Sequence, residues 1–184
     1  MVYLNNFKKS IVVVALAASL AACGDNDSND PVQVVTPPTP EPVSYTFDVT
    51  VSNLTAGQPL SPIAVIAHTE GTLWQIGSPA SVALETMAEG GDNSQLLALE
   101  NAIANASSEG PVGPGANTTI TLTTDSLEAL KLSLATMMVN TNDGFTGLSA
   151  LDVSSLAVGD SLIRTTVAYD AGTEANTEAA GTIP

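Results

Sequence analysis

Asp170 and Glu174 stand four residues apart around Gly172, just past a run of residues, 161–169, that reads as a strand. A bend of that kind can aim two carboxylates and the carbonyl oxygens between them at one point. Calcium takes several oxygen ligands at about 2.3–2.6 Å, and Asp, Glu and main-chain carbonyls all serve. Asp143, in another loop just past a strand, supplies a third carboxylate if the two loops meet at one end of the domain. Three carboxylates gathered without a cation would repel one another and raise at least one pKa. In so acidic a chain the same residues also fit solvated loop carboxylates. Asn176 and Glu178 are spare oxygen donors nearby.

The chain holds one Cys and one His, which excludes an internal disulfide and a His-rich metal site. Cys23 follows a basic pair, Lys8-Lys9, and an apolar run of residues 11–22, within the length of a signal-peptide core and short for a membrane span. The run ends Leu20-Ala21-Ala22-Cys23, which resembles the bacterial lipobox, where cleavage makes the Cys the new N-terminus and lipid is attached to it. Lipidation accounts for an otherwise lone thiol in an exported protein. Two or more acyl chains hold stably, where a single chain binds marginally. Gly24, rather than Asp, follows the Cys, and similarity to enterobacterial sorting then directs the protein to the outer membrane. His68 ends an apolar strand run with no Gly-x-Ser-x-Gly elbow in the chain, so it reads as a hydrogen-bonded structural histidine. Trp74 reads as a core or rim aromatic, and Met137 and Met138 as core packing.

Charge narrows the partners. The chain has 19 acidic residues against 4 basic, a formal −15. Without the leader only Lys131 and Arg164 remain against 19 acids, or −17. Phosphate neutralisation needs Lys and Arg clusters, so nucleic acid is excluded as a partner, as is a polybasic hold on anionic lipid. With 44% apolar residues the chain still has the material for a core.

The elements that must position these residues come in three stretches: a signal peptide over 1–22, a tether over 23–44 and one domain over 45–184. The tether begins acidic, with Asp25, Asp27 and Asp30, and turns Pro-rich from Pro37 to Pro42, an extended spacer. In the domain Tyr45, Phe47, Val49 and Val51 alternate with polar residues, as in a half-buried strand. Further strands are expected over 63–67, 73–76, 118–124, 132–139 and 161–169, and helices over 81–89 and 94–106, the latter capped by Asp92 or Asn93. Residues 109–115 form a loop. The expected fold is mainly β: an antiparallel β-sandwich with one or two short helices inserted.

Several blocks then resemble a family. Residues 61–68, Ser-Pro-Ile-Ala-Val-Ile-Ala-His, lead into Leu73-Trp74, Gly77, Ala80-Ser81 and Ala88-Glu89-Gly90. Later come Met138-Val139, Asp143-Gly144-Phe145 and Gly147, and then Tyr169-Asp170-Ala171-Gly172-Thr173-Glu174. In type and order these are similar to the spondin N-terminal domain found in F-spondin, mindin and many bacterial secreted proteins. The likeness spans most of residues 45–180. It implies a calcium site whose ligands fall on Asp143, Asp170 and Glu174. Glu174 stands where animal members have Asp, Gly144 displaces the aromatic to Phe145, and the family continues past the point where this sequence stops.

The expected function is therefore a lipid-anchored extracytoplasmic module that binds calcium and an unidentified protein or glycan at the cell surface, as the adhesive animal members imply, and is not an enzyme. The alternatives are an envelope hydrolase using the carboxylate cluster, and a structural envelope lipoprotein whose calcium only stabilises the fold.

Overall fold

The computed structural model describes residues 1–10, 43–176 and 183, with only the backbone described for 5–10. The apolar leader core over 11–22, Cys23, the tether up to residue 42 and Glu178 lie outside the described residues.

Among the described residues the elements in chain order are β1 (Val2–Ser10), β2 (Ser44–Ser52), β3 (Ala64–His68), α1 (Val82–Gly90), α2 (Ser94–Leu97), β4 (Ala102–Ser107), β5 (Asn117–Thr124), β6 (Lys131–Met137), β7 (Gly144–Asp152), β8 (Leu162–Arg164) and β9 (Ala168–Asp170). The strands form two antiparallel sheets, ordered β5-β2-β1-β8 and β4-β3-β6-β7-β9. The expected sandwich is present, with its two short helices.

Apolar residues fill two layers. Between the sheets lie Phe47, Val49, Val51, Ile120, Leu122, Val65 and Leu134. On the outer face of the second sheet, Ala64, Ile66, Ala135 and Met137 pack against Leu84, Met87 and Leu96 of the helices. This explains the continuous apolar run of β3: it is central in its sheet and covered on both faces, so all five residues are buried. Strand β2 is covered on one face only and keeps its alternation. Helix α1 starts at Ser81, whose Oγ accepts from the Leu84 N–H, and ends at Gly91 in the left-handed region. Helix α2 is preceded by Asp92, whose carboxyl accepts the Ser94 N–H at 2.9 Å and is thereby held below its ordinary pKa.

Three expectations need correction. The helix over 94–106 stops at Leu97, and residues 102–107 become strand β4. There Ala102, Ala104 and Ala106 are half-buried at period two while Ile103, Asn105 and Ser107 are exposed. Alanine favours a helix on its own, but β3 needs a ladder partner on that side, and tertiary pairing prevails. The single strand over 161–169 is two strands in different sheets, β8 beside β1 and β9 beside β7. The chain changes sheet at residues 165–167, where no Gly or Pro marks the corner. Residues 73–76 form no strand; Trp74 instead docks against the second sheet. Strand β7 was not expected at all, because Gly144 and Gly147 mask its pattern. Gly147 is required there: a Cβ would lie 1.9 Å from the Leu134 carbonyl oxygen of β6.

Candidate metal centre

At one end of the second sheet, β6 gives way to the loop over 138–143 and β7 returns. Thr141 braces the turn: its Oγ1 donates to the Met138 carbonyl at 2.6 Å and accepts the Gly144 N–H at 3.0 Å. A Cβ on Gly144 would stand 2.5 Å from that same Oγ1, which is why glycine follows Asp143. Phe145 then turns inward and is buried. It stacks on Tyr169 of β9 at 5.3 Å between centroids and meets Trp74 edge-on at 5.1 Å. The residue pairs Gly144↔Asp170 and Phe145↔Tyr169 join β7 to β9, so the aromatic trio fixes where Asp170 emerges.

The chain after β9 folds back over Asp143. Its carboxylate, 3% exposed, accepts through Oδ2 from the Thr173 N–H at 2.9 Å, the Glu174 N–H at 3.2 Å and the Thr173 hydroxyl at 3.4 Å. The Ala171 N–H donates to the Asp143 main-chain carbonyl at 3.2 Å. Successive backbone N–H groups converging on an anion form a nest, here filled by a side chain of the protein itself. Asp170 bends its own loop: Oδ1 accepts the Gly172 N–H at 2.7 Å, with Gly172 at φ +70°, and Oδ2 accepts from Asn176 Nδ2 at 2.9 Å. Asp170, Glu174 and Asn176 are exposed.

The two loops whose meeting a third carboxylate requires do touch, through the main chain. Asp143 sits beneath the loop, while Asp170 and Glu174 stand on the solvent side of it. Among the described residues, no group of three or more His, Cys, Asp or Glu side chains is gathered tightly enough to hold a metal. Oδ2 of Asp143 is taken by donors; no described group bonds its Oδ1. Asp170 takes one hydrogen bond on each oxygen and so retains lone pairs on both. All available donors are oxygens, the chemistry that suits calcium. Thr173 and Thr141 escaped the sequence reading, although each sits inside a quoted motif beside a carboxylate, where a hydroxyl commonly ties a turn.

His68 lies well away along β3, buried beside β6. Its Nδ1 is 2.7 Å from the Glu70 carbonyl and its Nε2 2.8 Å from Ser133 Oγ. A carbonyl only accepts, so Nδ1 carries the proton; Nε2 accepts from the Ser133 hydroxyl, which in turn accepts the Ala150 N–H at 2.8 Å. This closed set braces the register shift of β6 on β7. With His68 1% and Ser133 0% exposed, no substrate reaches the pair.

The chain matches no protein-family model, and a search of curated proteins gives no match. Among the described residues no helix is long and apolar enough to cross a membrane.

Proposed function

We propose that the chain is a lipid-anchored extracytoplasmic module of spondin type that takes calcium at the end of its sandwich and presents that end to a protein or glycan ligand at the cell surface. The observation that supports this best is the seating of the loop over 171–176 on Asp143, which makes neighbours of the three segments that carry the proposed ligands. Asp143, Asp170 and Glu174 are the carboxylates that would hold calcium, and Asn176 lies beside Asp170 with an amide oxygen; among the described residues the three do not form a gathered group. Calcium held there would supply positive charge beside the loop. The protein's own groups set the frame: Asp143 pins the loop, Thr141 pins the turn, and the Trp74–Phe145–Tyr169 trio holds β9 on β7.

A second reading has its own observation. Three donors already satisfy Asp143 Oδ2, so its burial needs no cation, and the residue can serve purely as a structural pin. Thermal melting with and without calcium separates the two. If calcium binds, the melting temperature rises by several degrees, since saturation at about 100 times Kd stabilises by about 2.7 kcal/mol. Asp170→Asn keeps the acceptor for Gly172 and should melt like wild type without calcium, yet lose most of the rise. An unchanged wild-type melt leaves Asp143 as a pin alone.

A further inference from the structure

Beside the Asp170 loop lies a cavity of about 110 Å³ that the calcium reading does not use. The buried side chains of Leu84 and Phe145 line it, as do Trp74 and Tyr169, both half-buried. Asp170 and the exposed turn over 75–78 complete the lining, and Ile76 in that turn is 82% exposed. The surrounding segments are tied down. Ser149 Oγ of β7 accepts the Leu73 N–H at 3.0 Å and donates to the Trp74 carbonyl at 3.2 Å. The Ser78 N–H donates to the Gln75 carbonyl at 3.0 Å, and Gly77, at φ +83°, lets that turn close. The Trp74 ring centroid lies 5.1 Å from that of Phe145 and 5.4 Å from that of Tyr169. Rings that already hold one another lose little freedom when a ligand arrives.

Charge selects the ligand. Among the described residues no Lys or Arg lines the cavity, and one carboxylate, Asp170, does. The basic side chains of the domain lie elsewhere: Lys131 starts β6 at the end away from the Met137↔Phe145 pair, and Arg164 belongs to the other sheet. An anion finds no counter-charge here, whereas a cation gains from the carboxylate and from the negative faces of aromatic rings. Arginine is at its best when it forks onto both oxygens of a carboxylate, but each oxygen of Asp170 already accepts a hydrogen bond, from the Gly172 N–H and from Asn176 Nδ2. A lysine ammonium is a compact charge that needs one lone pair, and its methylene stem suits an apolar lining. We propose that this cavity takes the methylenes and ammonium of a lysine side chain from a protein partner. The proposal rests on reading this end of the sandwich as the ligand-facing end, and it does not require calcium.

Trp74 is the one tryptophan of the chain, so its emission reports on this cavity. The test titrates the full chain, at constant ionic strength, with a short glycine peptide carrying a single lysine, and with the same peptide carrying norleucine or arginine instead. EDTA keeps calcium, which would call on the same carboxylate, out of the measurement. The lysine peptide should shift the Trp74 emission to saturation and bind about tenfold more tightly than the norleucine peptide, with arginine between them. Asp170→Asn, which keeps an acceptor for the Gly172 N–H, should erase the preference for lysine. Glu174→Gln, outside the cavity lining, should bind the lysine peptide as wild type does whatever its calcium affinity, which separates a failure here from a failure of the metal reading. Equal binding of the lysine and norleucine peptides, or a lysine preference that survives in Asp170→Asn, overturns the proposal. So does an emission that responds to methyl glucoside and to none of the peptides, which would assign the cavity to a glycan.

Discussion

Asp143 is buried in a domain with two basic side chains, and among the described residues its carboxylate is held by main-chain N–H groups and a hydroxyl. The Thr173 and Glu174 N–H groups and the Thr173 hydroxyl converge on one of its oxygens. Hydrogen bonds to an ionised acceptor are stronger than neutral ones, and losing such a set costs about 2 kcal/mol. Asp143→Ala should therefore lower the melting temperature by about 5–10 °C in calcium-free buffer. Asp143→Asn, which keeps an acceptor oxygen, should cost less, and calorimetry of the two variants gives the comparison. A melt unchanged in Asp143→Ala would mean that the loop holds itself in place without the carboxylate. His68 is the contrasting residue. It is as well satisfied as Asp143, but its partners, Glu70 and Ser133, close the network inside the protein and leave nothing to offer a ligand.

At the scale of elements, β7 is the piece on which the site depends, because it carries Gly144 and Phe145 and pairs with β9. Its closeness to β6 leaves no room for a side chain at Gly147. Gly147→Ala should cost about 3 kcal/mol, at the upper end of overpacking, and raise amide exchange along β6, β7 and β9 together. Protection confined to wild-type values in β9 would show that the site is held independently of β7. How far these elements could be read in advance depended on what covers them. Strands β2 and β5 are covered on one face, and their alternation is plain in Phe47, Val49, Val51 and in Ile120, Leu122. Strand β3 is covered on both faces, and its unbroken apolar run says so. Strand β4 hides behind helix-favouring alanines whose conformation is decided by β3, a partner distant in sequence. Strand β7 hides behind two glycines demanded by contacts with Thr141 and Leu134. At the site, placement after strands marked the Asp143 and Asp170 loops as candidates, but whether they meet was left open by the sequence. The donors that seat one loop on the other are main-chain N–H groups, which no residue type announces.

On the scale of the whole molecule, the charge divides by position. Four acids, Asp25, Asp27, Asp30 and Glu41, fall in the tether, and most of the rest cover the surface of the sandwich. No basic cluster offsets them, which leaves a lipid on Cys23 as the proposed hold on the membrane. Replacing Cys23 with Ser should move the protein from the membrane fraction to the soluble one on cell fractionation; persistence in the membrane fraction would contradict lipid anchoring. The central claim concerns the small part of that charge gathered around the loop over 171–176. Its most direct test is calorimetric titration of the processed protein with calcium, compared with Asp170→Asn/Glu174→Gln and with Asp125→Asn as an acidic control elsewhere. The expected result is one calcium per chain in wild type and in the control, and none in the double variant. Binding that survives in the double variant, or is missing from wild type, would contradict a calcium site at this end of the sandwich.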